Sequence, residues 1–185
     1  MSSLADIPQP LIPEWSTTLE TLGGVQLKVR PASPDDAATV RAFFAELTPD
    51  DLRFRFLSPM PRVCESLYDL LVNVDHVRTE DFLVFVDEDG KDRMVASAML
   101  SCDAASKTAE VAISVHPAWR NKGIGWTLLD FVARDAERRG MENLQSIECP
   151  DNRGALDVEK DLGFHVDFHP GDPTLNLVSK RLGGR

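Results

Sequence analysis

The segment Arg120-Asn121-Lys122-Gly123-Ile124-Gly125 leads from a β-rich run into a long amphipathic one, and it sets two cations beside two glycines. Where a loop opens into a helix, the first backbone N–H groups have no intrahelical acceptor and the helix dipole adds partial positive charge. Such a corner is suited to holding a phosphate or pyrophosphate. Gly123 and Gly125 carry no side chain to keep phosphate oxygens from the main chain, and Arg120 and Lys122 add full charges. Spacing alone fits an ordinary glycine-bearing turn with two surface cations equally well. The pattern is neither the G-x-G-x-x-G of dinucleotide folds nor a nucleotide P-loop, because Trp126 follows Gly125 where the P-loop needs Lys-Ser/Thr.

Glu110 is the second residue with chemistry to offer. It lies in Thr-Ala-Glu-Val-Ala-Ile, just before the loop, and strand alternation puts Ala112, Ser114 and His116 on its face. From the residues alone it is either a base near the anion site or an exposed carboxylate in a cross-strand ion pair. Cys149 closes a short strand nearby, but no activating partner is legible around it, so it reads as an inert thiol. His116, ahead of Pro117, reads as a turn histidine.

The elements around these residues follow from periodicity. TTLETL and VQLKVRPAS flank Gly23-Gly24 and predict a hairpin. Ser33-Pro34-Asp35-Asp36 is a helix start with a capping-box acid, and Thr48-Pro49-Asp50-Asp51 repeats it. SPMPRVCESLYDLL predicts a third helix. DFLVFVDED and RMVASAMLSCD surround Asp89-Gly90-Lys91 as an antiparallel pair, and TAEVAISVHP extends it to a meander. A long helix is expected from about Lys122 to Arg139, with Leu128, Leu129, Val132 and Ala136 inward and Gly140 at its end. LQSIEC is a short strand, a helix begins at Asp151 or Asn152, and FHVDFH with TLNLVSKRL predicts a terminal hairpin. Helices between strands and around a meander imply an α/β (α+β) chain with a mixed, mostly antiparallel sheet flanked by helices. Residues 1–15, with three prolines, read as a loose arm, and 16–185 as one domain.

Arg-x-x-Gly-x-Gly after Val-His-Pro, followed by a helix, resembles the acyl-CoA signature of the GNAT N-acetyltransferases. The resemblance runs from Glu110 to Phe164, because CPDNRGALDVEKDLGF is similar to the family's later strand, Asn-started helix and Leu-Gly-Phe ending. VRPASPDDAATVRAFFAELTPDDLRFRFLSP resembles, less specifically, the GNAT domain of bacterial Pat-type protein lysine acetyltransferases. The larger Pat-type proteins carry extra nucleotide-binding or synthetase-like domains, which are not expected within these 185 residues.

The resemblance implies the GNAT fold and acetyl-CoA as cosubstrate, with no metal. Arg120, Asn121, Lys122, Gly123, Ile124, Gly125 and Trp126 would wrap the pyrophosphate with their amides. Ile113 and Val115 would offer main-chain groups to the pantetheine arm, and Asn152 would touch the cosubstrate from the other wall. It also implies direct attack by a primary amine, a protein lysine side chain first and a small amine or amino acid second. A non-catalytic acyl-CoA sensor is the rival reading.

A lysine with a pKa of ~10.4 is neutral in only about one molecule per few thousand at pH 7, so a base helps. Pat-type enzymes place a catalytic glutamate in the Ala-Glu-Val-Ala context that Glu110 occupies. A free carboxyl pKa of ~4.3 makes a weak base, and partial burial of Glu110 is the expected remedy. Many GNAT enzymes have a Tyr where this chain has Glu159, so solvent or another group must protonate the departing thiolate. Asp50, Arg53, Arg55 and Asp167 are candidates to line the acceptor pocket, or to form surface ion pairs.

The bulk numbers exclude other classes. A formal charge of -10 with no basic stripe argues against a general nucleic-acid binder. No apolar stretch approaches the ~18 residues of a membrane span, and MSSLADIPQPLIPEW lacks the marks of a signal peptide, so a cytoplasmic chain is expected. Three scattered cysteines build no disulfide framework or zinc site. Many GNAT proteins pair through terminal strands, so the resemblance admits a homodimer.

Overall fold

The structure, a computed structural model, describes residues 15–183. The expected loose arm therefore lies outside the described residues, except for Trp15. That residue's ring packs against Phe82 and Phe131, with centroids 5.9 and 6.4 Å away.

Among the described residues eight strands, numbered along the chain with the ranges given next, form one sheet in the order β1-β2-β3-β4-β5-β6-β8-β7. The strands β1 (Thr17–Glu20) and β2 (Gln26–Pro31) make the first hairpin. The meander comprises β3 (Thr79–Glu88), β4 (Lys91–Asp103) and β5 (Thr108–Val115), and all its pairings are antiparallel. Helix α4 (Ile124–Arg138) then crosses back so that β6 (Asn143–Glu148) lies parallel to β5. The terminal hairpin β7 (His165–His169) and β8 (Asp172–Arg181) is present, but β8 inserts beside β6 and leaves β7 at the edge.

Each face of the sheet buries its own core. Apolar residues of β2 to β6, among them Val29, Val111 and Leu144, meet Leu128, Val132 and Ala136 of α4 and Leu156 of α5 (Arg153–Asp161). On the opposite face Leu83 and Phe85 of β3 meet α1 (Ala37–Ala45), α2 (Pro49–Phe56) and α3 (Glu65–Val72), through Val40, Phe44, Leu52 and Leu71. The period-2 pattern of the central strands thus feeds two cores because helices cover both faces.

Both helix starts are as the sequence suggests, with one adjustment. At the first, Asp36 accepts from the Ser33 N–H at 2.9 Å, but Pro34–Asp36 forms a 3₁₀ turn before α1 begins. The same carboxylate takes a two-pronged ion pair from Arg30, and this tight N-terminal arrangement favours the shorter turn. At the second, Thr48 and Asp51 complete a capping box on α2. The third helix starts only at Glu65, since Pro59 and Pro61 keep the preceding residues out of the helical region.

Candidate active site

The parallel pairing of β5 with β6 runs from Thr108↔Asn143 to Glu110↔Gln145 and stops there. Past that point each strand keeps its outer partner, β5 pairing with β4 to Val115↔Ala96 and β6 with β8 to Glu148↔Asn176. The inner edges separate, and a cleft of about 560 Å³ opens between them, bounded by the loop before α4, the start of α5 and the C-terminal part of α2. That volume is in the range of small-molecule sites. The open edge of β5 carries backbone groups that no strand pairs with, which is the arrangement an extended ligand can complete.

The loop reaches the cleft through a chain of specific turns. His116, buried at the end of β5, accepts the Ala118 N–H on Nδ1 at 3.1 Å, so its Nε2–H donates to Glu46 at 2.7 Å. It is therefore a turn histidine, as expected. Asn121 (φ 58°) and Gly123 (φ 80°) both take the left-handed conformation that swings the chain into α4. A Cβ on Gly123 would also stand 3.4 Å from the Thr21 Cβ, whereas a Cβ on Gly125 would meet nothing within 4 Å. Gly125 thus leaves open space beside the α4 N-terminus, whose first amides have no intrahelical acceptor.

Arg120, Asn121, Gly123, Ile124, Gly125 and Trp126 all line the cleft. Lys122 does not: its ammonium sits 5.6 Å from the centroid of the Trp119 ring. Trp119 itself lines the cleft, and Arg120 stands at its rim. Arg120 is ion-paired with Asp51 of α2, which also lines the cleft. Nearby, Arg53 of α2 pairs with Asp151 at 2.6 Å, so α2 is tied to both walls. Arg55 lines the cleft, while Asp50 and Arg53 hold surface ion pairs and Asp167 faces His165 at 3.6 Å.

Glu110, Ile113, Val115 and Asn152 line the same cleft. Glu110 is exposed, contrary to the expected partial burial, because it stands where β5 and β6 separate and no strand covers it beyond Gln145. Asn152 is the N-cap of α5, yet its side chain caps nothing; its Nδ2 donates to Glu148 Oε2 at 2.7 Å.

The electrostatics of the cleft were not legible in the sequence. Arg55 has Nε and Nη2 buried without a protein partner, and burial pulls its pKa down against the opposing pull of Asp81, Glu110 and Glu148. Asp81, fully buried behind it, is pushed by burial to about 6, although Arg55 and a 2.8 Å hydrogen bond from Ser97 oppose the shift. Burial pushes Glu148 to about 8, with Glu159 adding to the rise. Burial also raises Glu159 to about 7, despite the Ser146 hydroxyl that donates to its Oε1. Glu159 is 4% exposed and its Oε2 is buried without a partner. Cys149 is buried with its thiol raised by desolvation, which fits the inert reading. Among the described residues no three of His, Cys, Asp and Glu converge on a metal site, and no helix is long and apolar enough to cross a membrane.

Comparison with known proteins places these features in one lineage. The profile of the Acetyltransferase (GNAT) family matches residues 42–164. A protein named an acetyltransferase from Pseudomonas aeruginosa is 26% identical over 160 residues, covering 86% of this chain and 85% of its own. A shorter match, 40% identical over 60 residues, covers 32% of this chain and 13% of an amino-acid acetyltransferase from Pasteurella multocida. In solved structures the fold is that of the GNAT domain of S. lividans PAT, with a TM-score of 0.81 at 22% identity, covering 92% of this chain and 99% of that one. The chain belongs to the GNAT acetyltransferase family.

Proposed function

We propose that this GNAT-family acyltransferase moves the acetyl group of acetyl-CoA to a primary amine in the cleft between β5 and β6. The observation that carries this reading is the convergence of the glycine-lined α4 N-terminus, the open edge of β5 and Glu110 on one cavity. The amides of residues 120–126 and the Arg120 guanidinium hold the pyrophosphate, and the Lys122 ammonium, over the Trp119 ring, adds positive charge beside them. Main-chain groups of Ile113 and Val115 hold the pantetheine arm as an added strand would be held. Asn152 supports that wall from α5. Acetyl-CoA supplies the activated acyl group, and every other task falls to this chain's residues.

Glu110 takes a proton from the amine, directly or through a water. Its exposure in the free chain leaves it accessible to an incoming ammonium, and the bound substrates then exclude solvent around it. Glu110, exposed in the cleft while Asp51 and Asp151 are ion-paired with Arg120 and Arg53, favours a cationic acceptor. A protein lysine is the leading acceptor, supported by the likeness of the VRPASPDDAATVRAFFAELTPDDLRFRFLSP stretch to Pat-type enzymes. The local match to an amino-acid acetyltransferase supports the second reading, a small amine or amino acid.

Calorimetric titration with acetyl-CoA, followed by a screen of free-CoA release against purified proteins and small amines, tests the proposal. Saturable binding and release with at least one amine are expected. Binding without release across the panel would make the chain a sensor, and no binding would remove both readings.

A further inference from the structure

Two carboxylates in this cleft, the buried Glu159 and the half-buried Glu148, have no part in the reading above. Parallel partners share a face, so Glu110 and Gln145 point to the side of the sheet that α2 covers. The next residue on β6 points the other way: Ser146 reaches Glu159 of α5, and Glu148 reaches Asn152 at the start of α5. Apart from Asp51 and Asp151, which are ion-paired with Arg120 and Arg53, the carboxylates lining the cleft are Glu110 on its α2 side and Glu148 and Glu159 on its α5 side. Acyl transfer from a thioester to an amine has two separate proton tasks, removal from nitrogen and delivery to sulfur. The two sides of the cleft match that division.

We propose that Glu148 and Glu159 form a proton-donating pair for the leaving sulfur, set across the sheet from the base Glu110. This rests on the acyl-transfer reading. In the step, the amine nitrogen bonds the acetyl carbon, the carbon–sulfur bond breaks with its electron pair going to sulfur, and Glu110 accepts the nitrogen's proton. The carboxyl pair delivers a proton to sulfur, so free CoA leaves as the thiol. Glu110 then loses its proton to water and the pair regains one from water, which restores both groups.

The surroundings suit a donor. Glu159 keeps Oε2 free of any protein partner inside the cleft lining, while Ser146 fixes its other oxygen. Glu148 is held from one side by Asn152, and the charges facing it are Glu159 from α5 and Arg55 from α2. With the neutral form favoured by burial at about 8 and about 7, the pair holds a proton at neutral pH, as two close carboxyls in a dry site do. Arg55 is electrostatically coupled to both Glu110 and Glu148 where the strands separate, so a proton gained on one side is felt on the other.

The test uses Glu159→Gln and Glu148→Gln, each keeping the shape and one hydrogen bond of its site, beside Glu110→Gln and the parent chain. The parent should show kcat falling above about pH 7 to 8 as the pair deprotonates. Either pair variant should lower kcat about 10²-fold or more, leave the KM for acetyl-CoA near its parent value, and lose that alkaline limb. Infrared spectra of the chain without acetyl-CoA give a second readout: a protonated-carboxyl band at pH 7 that weakens in each pair variant. A parent that turns over while both variants keep its rate and its alkaline limb would overturn the inference, as would absence of the band. A parent that acetylates nothing would instead remove the reading beneath it. If one variant fails to fold, the other decides.

Discussion

Arg120, at the mouth of the pyrophosphate corner, is ion-paired with Asp51 in the first turn of α2. The cation proposed to meet the cosubstrate is therefore engaged in the free chain, and a pyrophosphate must compete with a carboxylate for it. The Arg120 side chain is 44% exposed, so the pair is weak and exchangeable rather than a lock. Asp51→Asn should tighten acetyl-CoA binding about two- to fivefold, and Arg120→Ala should weaken it by more than that. Calorimetry at low and moderate salt reads both, and an unchanged affinity in Asp51→Asn would mean that Arg120 does not change partners.

Glu110→Gln removes the proposed base without altering the strand pairing around it. The expected result is a kcat loss of about 10²–10⁴ with acetyl-CoA binding unchanged, because the side chain stands apart from the pyrophosphate corner. Pre-steady-state or steady-state release of CoA, measured beside calorimetric affinity, separates the two effects.

Gly125→Asp places a carboxylate in the open space beside the α4 amides. Nothing lies within 4 Å of a Cβ there, and the residue is not in the left-handed region, so the fold should be unaffected. An acid in the first helical turn even interacts favourably with the dipole. Acetyl-CoA affinity should nevertheless fall at least about tenfold through charge and occupied volume. Gly123→Ala behaves in the opposite way: a φ of 80° makes the backbone strained, and thermal stability should fall by about 1–2 kcal/mol.

Stability should decline as pH rises from about 5 to 8. Asp81, Glu159 and Glu148 bind protons in the folded chain up to about 6, 7 and 8, while unfolded carboxyls release theirs near 4. In that interval the folded state holds more protons than the unfolded one, so raising the pH favours unfolding. The slope should be on the order of 1 kcal/mol per pH unit, and Glu148→Gln or Glu159→Gln should flatten it. Asp36, which Arg30 and Ser33 hold below its usual value against an opposing push from burial, acts in the other direction only at lower pH. Urea denaturation at several pH values checks this.

The corner proposed to hold the pyrophosphate was legible as a loop feeding a helix start, because glycine, loop and helix start are all local sequence features. The same locality revealed both capping boxes and the strand carrying Glu110. Glu148 and Glu159 were not legible as a pair, since Glu148 reads as the polar end of LQSIEC and Glu159, though it stands where many GNAT enzymes have a Tyr, carries no sequence sign of meeting Glu148. The burial of Glu159 depends on α5 meeting β6 at Ser146, which is a long-range matter. The place of the Lys122 ammonium over the Trp119 ring was likewise not legible, because the left-handed residues Asn121 and Gly123 on either side set it.

Free-CoA release from acetyl-CoA, measured for the parent chain and Glu110→Gln across a panel of purified proteins and small amines, tests the central claim most directly. The account predicts amine-dependent release by the parent with at least one acceptor, reduced about 10²-fold or more by Glu110→Gln. No release with any acceptor, or equal release by the two proteins across the pH range, would contradict it.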